Sequence, residues 1–342
     1  MMARMGQPDD RMPPATDVRT PPPRAARVLV RVADAYRRLL GVTLSVLGPR
    51  AAYALTGALA RLLYRLMTPL RVQSETHCRA ALLHSVPPEE VPRIAAAAFV
   101  HRVWDLTDLM LADRWLRPGT LPRYGGGVPE PHRASLQADQ AAGRPVILVT
   151  AYYGPFDLLP LLLGYSGLRA TVVYKPHANA GYDAWRRAVR GRSGCELVTV
   201  AEAAIRLPQV LEQGGTVAIV ADHHAERRGL PATFLGLPTQ AWRTVGLLAA
   251  KYEAAVAVAG VRRLGRRFRF EIDVVDTIRP RDWSDAADAV ALITHRYLRG
   301  LERLILADPT QYLWGYPRWG RAFSEELLEQ ELARSSPPTG RP

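Results

Sequence analysis

Lysine is nearly absent from this chain: of 45 basic residues only Lys175 and Lys251 are lysines, and the other 43 (45 less 2) are arginines. Cysteine is equally scarce. Cys78 and Cys195 are too few and too far apart for a disulfide framework or a four-ligand zinc site, and they leave the redox compartment open. Neither a Gly-x-Gly-x-x-Gly run nor a Walker loop occurs, which counts against a nucleotide-binding enzyme. No uninterrupted apolar stretch reaches the roughly 20 residues of a spanning helix. The best candidate, residues 39–60, is broken by Gly48-Pro49-Arg50. Residues 1–24, rich in Pro, Arg and Asp, carry no apolar signal core and read as a disordered tail.

What is present sets the class. The chain has 342 residues, 48% of them hydrophobic, enough to bury a substantial core. The net charge of +13 favours an anionic lipid surface, an acidic partner protein or a nucleic acid. Nucleic acid is the poorest fit, because the arginines are spread along the chain and no recognition motif appears. Residues 25–72 are apolar with arginines at intervals. They read as two amphipathic helices parted at Gly48-Pro49 and ended by Pro69, with Val28, Val32, Ala35, Leu39 and Val42 on one face. Such a pair serves either as core helices or as a membrane-docking region.

Beyond Ser74 two further helices are expected, the second opened by Pro87-Pro88-Glu89-Glu90. After Gly143 short apolar runs alternate with helical segments. Strands are expected at residues 146–150, 170–174, 196–200, 216–221 and 255–260, a more exposed one at 268–275, and a long helix at 284–306. That order gives an α/β fold with a largely parallel central sheet flanked by helices, occupying residues 73–322, followed by a tail at 323–342. Chemistry in such sheets gathers in the loops past the carboxyl ends of the strands, here residues 151–157, 175–183 and 222–236.

Each loop offers candidates. The first, Tyr152-Tyr153-Gly154-Pro155-Phe156-Asp157, runs into a helix whose amides can hold a developing anion, or is a plain turn in which Asp157 charges the helix start. The second holds Lys175, Asn179 and Asp183, with Lys175 either a phosphate ligand or a solvated cation. The third begins Asp222-His223-His224. Adjacent histidines seldom aim at one ion, so no metal is expected, and no other cofactor is called for. An aspartate beside a histidine can instead orient and charge it.

In order, these segments resemble the blocks of the lipid A lauroyl/myristoyl acyltransferases, within the wider glycerophospholipid acyltransferases. Gly143 to Ala151 is similar to the block before that family's His-x4-Asp/Glu motif. Val173-Tyr174-Lys175-Pro176 with Asn179 and Asp183 is similar to its second block. Gly214-Gly215, Val220-Ala221-Asp222 and Phe234-Leu235-Gly236-Leu237-Pro238 resemble its third. Pro309-Thr310-Gln311-Tyr312-Leu313-Trp314 and Arg318-Trp319 resemble its closing motif.

The resemblance implies a domain docked on the cytoplasmic face of the inner membrane. It implies acyl transfer from an acyl carrier protein or coenzyme A thioester to a hydroxyl of a membrane lipid such as a lipid A precursor. It places Asp157 and residue 152 in the catalytic dyad. It makes Gly154, Lys175, Asn179, Asp183 and Asp222 the substrate-binding set. The match breaks at the base, because the motif histidine is Tyr152, whose phenol has an ordinary pKa near 10. Three readings follow. His223 or His224 supplies the base; or Tyr152 positions the reactants and catalysis is slow or substrate-assisted; or the protein is an inactive homologue that binds lipid or acyl carrier.

Overall fold

The computed structural model describes residues 24–225 and 229–320 with 323, 326 and 327, and side chains from residue 35 onward. Apart from Arg24, the expected N-terminal tail lies outside these residues. So do the side chains of Val28 and Val32 and most of the expected tail at 323–342.

Helix α1 (Arg24–Leu66) is helical throughout except at Gly48, whose φ of 78° and ψ of 165° bend it before Pro49. Two helical segments thus meet at Gly48-Pro49, where the sequence expected them to part. By length and composition Ala35–Leu66 is long and apolar enough to cross a membrane, which revises the expectation that no stretch qualifies. Its second half is two-faced. Ala52, Tyr53, Ala60 and Tyr64 are buried, and Tyr53 meets Trp104 of α3 (Val91–Trp115) edge to face at 5.1 Å. Leu55, Leu59, Leu62 and Leu66, at helical spacing, are 50–69% exposed on the other side. Pro69 does not end α1. It stands in the first turn of α2 (Thr68–Leu82), where its missing amide proton leaves no bond unmade.

Helices α4 (Leu121–Tyr124) and α5 (His132–Ala141) lead into the sheet. Its strands are β1 (Val146–Thr150), β2 (Thr171–Tyr174), β3 (Glu196–Thr199), β4 (Thr216–Val220), β7 (Ala255–Arg263) and β8 (Phe270–Ile278), in the spatial order β3-β2-β4-β1-β7-β8. All neighbours pair parallel except β7 and β8. Central β1 is buried along its whole length, because helices cover both faces, and so reads as a continuous apolar run. Ile147 and Val149 enter one core and Val146 and Leu148 the other. Connecting helices are α6 (Leu159–Tyr165), α7 (Ala180–Arg190), α8 (Val200–Glu212), α9 (Thr244–Tyr252) and α10 (Ala289–Ala307).

The third loop departs from expectation. Residues 230–241 form a hairpin, β5 (Leu230–Phe234) and β6 (Leu237–Ala241), turned by Leu235 and Gly236 at φ 49° and 78°. Pro231 and Pro238 mask the strand pattern in sequence. Both strands sit apart from the main sheet as a separate two-stranded pair. The chain leaves β1 to one side and later returns to build β7 on the other. The carboxyl ends of β1, β2 and β4 thus converge at a switch point.

Candidate active site

The site begins where β1 ends. The Tyr152 amide donates to Asp222 Oδ2 at 3.1 Å, tying the first loop to the third. The Asp222 side chain is fully buried, and its Oδ2 also accepts from the Tyr312 hydroxyl at 3.1 Å and pairs with Arg318 Nη2 at 2.8 Å. Arg318 Nε donates to the Tyr312 oxygen at 2.7 Å, and its Nη1 donates to the Asp222 carbonyl. Thus Tyr312 and Arg318, both in the closing motif, hold the aspartate rigidly through one oxygen. Its other oxygen, Oδ1, has no hydrogen-bond partner among the described residues, and His223 Nδ1 lies 4.0 Å from it. An unpartnered buried carboxylate oxygen is costly unless a cation or donor serves it.

His223 packs edge-on to Tyr152 and Tyr316, with centroids at 4.8 and 5.6 Å. Burial, then the cations of Arg318 and Lys175, push its pKa below the usual histidine value, against the opposing pull of Asp222 and the Val220 backbone. The imidazole is neutral at pH 7 and can accept a proton. Tyr152 shifts the other way. Burial first, then Asp222 and Tyr316, raise its phenol above 10, so the hydroxyl keeps its proton. His224 turns aside, with Nδ1 3.3 Å from Thr239 Oγ1, so the adjacent histidines diverge.

Asp157 lies in a 3-10 turn (Phe156–Leu158), and its ion-pair partners are arginines. Arg186 Nη2 donates to both of its oxygens at 3.0 Å, and Arg190 donates to Oδ1. These arginines are one turn apart on α7, on one helical face. The loop amides offer little to an oxyanion. Those of Tyr152, Tyr153, Gly154, Phe156 and Leu158 are all hydrogen-bonded within the protein. Gly154 answers to packing: at φ 53° its amide donates to the Gln311 carbonyl at 2.8 Å, and a Cβ there would sit 1.9 Å from the Val261 carbonyl oxygen.

In the second loop Asn179 caps α7 by accepting from the Tyr182 amide at 3.0 Å. Asp183 accepts from the His177 amide at 2.8 Å and from the Tyr174 hydroxyl at 3.4 Å. Both side chains shape the loop. Lys175 is exposed at the end of β2. Asp157, Lys175 and Asp222 follow the carboxyl ends of β1, β2 and β4 respectively.

A cleft of ≈ 590 Å³ opens beside Asp157 between α1, α3 and α7. Leu40, Val103, Leu106 and Met110 give it an apolar wall; Arg102 and Arg186 give it charge. Sequence reasoning missed Arg102, Arg186, Arg190 and Tyr316. Only the i, i+4 arginines of α7 carried a local signal, and that spacing is equally that of a solvated helix face.

The family described as bacterial lipid A biosynthesis acyltransferase matches residues 132–321, more than half of the chain. No curated protein matches it.

Proposed function

Because the chain belongs to the bacterial lipid A biosynthesis acyltransferase family, we propose that it transfers a fatty acyl group from an acyl carrier protein or coenzyme A thioester to a hydroxyl of a membrane glycolipid, with His223 as the base. Acyl transfer to a lipid acceptor is the activity of the family. The base assignment rests on one observation above all: a neutral, half-buried imidazole 4.0 Å from an oxygen of Asp222 that has no hydrogen-bond partner among the described residues, in contact with the residue that replaces the motif histidine.

The chemistry follows from those positions. The acceptor hydroxyl gives its proton to His223 as its oxygen bonds to the thioester carbonyl carbon. Asp222 stabilises the imidazolium so formed and does not itself take the proton. The tetrahedral oxyanion collapses, the carbon–sulfur bond breaks, and the imidazolium returns the proton to the departing thiolate. The products are an ester and a free thiol. The exposed leucine stripe of α1, flanked by exposed Arg61 and Arg65, suits an anionic bilayer surface, and we place it on the cytoplasmic face of the inner membrane.

A second reading has its own support. Tyr152 stays protonated and Asp157 is claimed by two arginines, so the dyad implied by the family is inoperative. A lipid- or carrier-binding homologue without catalysis would look the same at those two residues. The two readings separate in one assay. Purified protein is given acyl carrier protein and coenzyme A thioesters of labelled laurate and myristate, with an inner-membrane lipid extract. Released thiol matched by labelled lipid ester is the expected result. Absence of ester from both donors, with the protein retained on the lipid, would establish the binding reading instead.

A further inference from the structure

The carboxylate of Asp222 does not by itself fix the imidazole of His223. At 4.0 Å the pair is longer than a hydrogen bond. The Val220 backbone offers the ring one hydrogen bond, and aromatic rings complete its enclosure. Tyr152 meets the imidazole at an interplanar angle of 72° and Tyr316 at 88°. The two tyrosines meet each other at 5.6 Å, so the three rings close a triangle. Arg318, which pins Asp222, also lies over the Tyr316 ring, 4.9 Å from its centroid. Tyr316 therefore touches both the base and the arginine that holds the base's carboxylate. Its own place is well determined. The Tyr316 amide donates to the Leu313 carbonyl at 3.3 Å, and its carbonyl accepts from the Arg318 amide at 2.8 Å. Leu313 in turn donates to the Tyr152 carbonyl at 3.1 Å, which ties this turn to the first loop. From α2, His77 Nδ1 stands 2.8 Å from the Trp314 carbonyl, and a Cβ on Gly315 would lie 3.2 Å from Ser74 Oγ. Pro317 disfavours helical backbone at the residue before it.

We propose that Tyr316 is a positioning residue for the His223 imidazole: its ring, with that of Tyr152, holds the imidazole beside Asp222 and keeps water from the pair. Its value to catalysis rests on the reading of His223 as the base. Edge-to-face packing on two sides leaves the imidazole few orientations. A displacement of 1 Å at a reacting group costs a rate factor of about 10². Excluding water also strengthens the attraction between Asp222 and the imidazolium that forms. The groups that face His223 are Asp222 from its own loop, Tyr152 from the first loop, Lys175 from the end of β2, and Tyr316 and Arg318 from the closing turn. Burial is the largest influence that lowers the imidazole pKa, and the Tyr316 ring is one wall of that burial. Removing the ring admits water and raises the imidazole toward about 6.5. Arg318, better hydrated, then pushes it down less, while Asp222 still pulls it up, so the changes act in one direction. The ring carries the effect and the hydroxyl does not.

The test reads His223 directly. The full chain is isotope-labelled at histidine, and its eight histidines are titrated by NMR, with His223→Ala identifying the signal of residue 223. The wild-type signal is expected to titrate below about 6.5, that of Tyr316→Ala nearer to 6.5, and that of Tyr316→Phe with the wild type. In single-turnover acyl transfer at saturating lipid, Tyr316→Ala is expected to lose about 10- to 100-fold in rate, and Tyr316→Phe to rescue it. Tyr316→Leu, which keeps an apolar side chain but no ring, should fall between the two in both readouts and replaces the alanine variant if that one does not fold. A ring-less variant whose His223 titrates with the wild type, a ring-less variant that transfers at the wild-type rate, or a Tyr316→Phe variant as slow as Tyr316→Ala would overturn the proposal. The titration needs no turnover. A midpoint that moves as stated in a protein that transfers no acyl group refutes the base reading alone. Transfer that requires His223, with an unmoved midpoint in Tyr316→Ala, refutes this one alone.

Discussion

Replacing His223 with alanine is expected to lower the single-turnover rate of acyl transfer by about 10²- to 10⁴-fold, the range general-base catalysis supplies. The loss should fall on the rate and spare substrate binding, because the imidazole acts on a proton that moves only in the transition state. The pH profile carries the more specific signature. His223 has its pKa lowered, chiefly by burial. Its basic form therefore persists below the usual histidine value of about 6.5, and the acid limb of the wild-type profile should lie below that pH. In His223→Ala that limb should vanish, leaving a flat residual rate. A wild-type limb above pH 7 would mean that the titrating group is not this half-buried imidazole.

Arg263→Ala is expected to produce the largest loss of stability of any single change in the chain. Arg263 is fully buried at the end of β7 and ties three elements together. Its Nη2 donates to Asp105 Oδ1 at 2.7 Å, its Nε to Asp108 Oδ2 at 2.9 Å, and its Nη1 approaches His101 Nδ1 at 2.6 Å. Asp108 also accepts from the Tyr53 hydroxyl of α1. Across the same point Gln311 clasps the Arg263 backbone, accepting from its amide at 2.9 Å and donating to its carbonyl at 3.1 Å. Removing the guanidinium strands two buried carboxylates, and breaking a buried ion pair on one side costs about 3–5 kcal/mol.

The deficit should depend on pH in a definite sense. Burial already raises Asp105 to about 6 with the arginine present. A carboxyl whose folded pKa lies above its unfolded value contributes stability that is full below the unfolded pKa and is lost as pH rises through the folded one. Without Arg263 the folded value rises further. The Arg263→Ala deficit, measured by urea denaturation, should therefore be greatest near pH 8 and shrink toward pH 5, where the carboxyls take up protons. A deficit independent of pH would show that lost packing rather than stranded charge causes it.

The sheet was readable in the sequence because most of its strands are parallel and covered on both faces. Val146 to Thr150 forms a plain apolar run, and Gly214-Gly215 marks the return to β4. Elements that obey other rules were not readable. The hairpin 230–241 carries prolines in both strands and turns on Leu235-Gly236, not the usual Asn-Gly. The last long helix starts at Ala289, five residues later than its composition suggests, because Asp288 caps it by accepting from the Ala291 amide at 2.9 Å.

The site divides in the same way. Tyr152, Asp157, Asp222 and His223 were legible as residues past strand ends, and the parallel order brings Tyr152, Asp222 and His223 together. Their partners were not. Arg186 and Arg190 are 29 and 33 residues from Asp157, and Arg318 is 96 from Asp222, so only the folded chain brings each pair together. The resemblance expected Asp157 to serve position 152. The arginines of α7 take that carboxylate instead, while Asp222, which the resemblance placed in the substrate-binding set, stands 4.0 Å from His223.

The most direct measurement is the single-turnover rate of acyl transfer by Tyr152→Phe, run beside wild type and His223→Ala with the same thioester and lipid. Phenylalanine keeps the ring that packs on His223 and removes only a hydroxyl that stays protonated at neutral pH. The expected result is a rate within about fivefold of wild type, while His223→Ala falls by about 10²-fold or more. A loss in Tyr152→Phe as large as that in His223→Ala, or a fully active His223→Ala, would contradict the assignment of the base to the third loop.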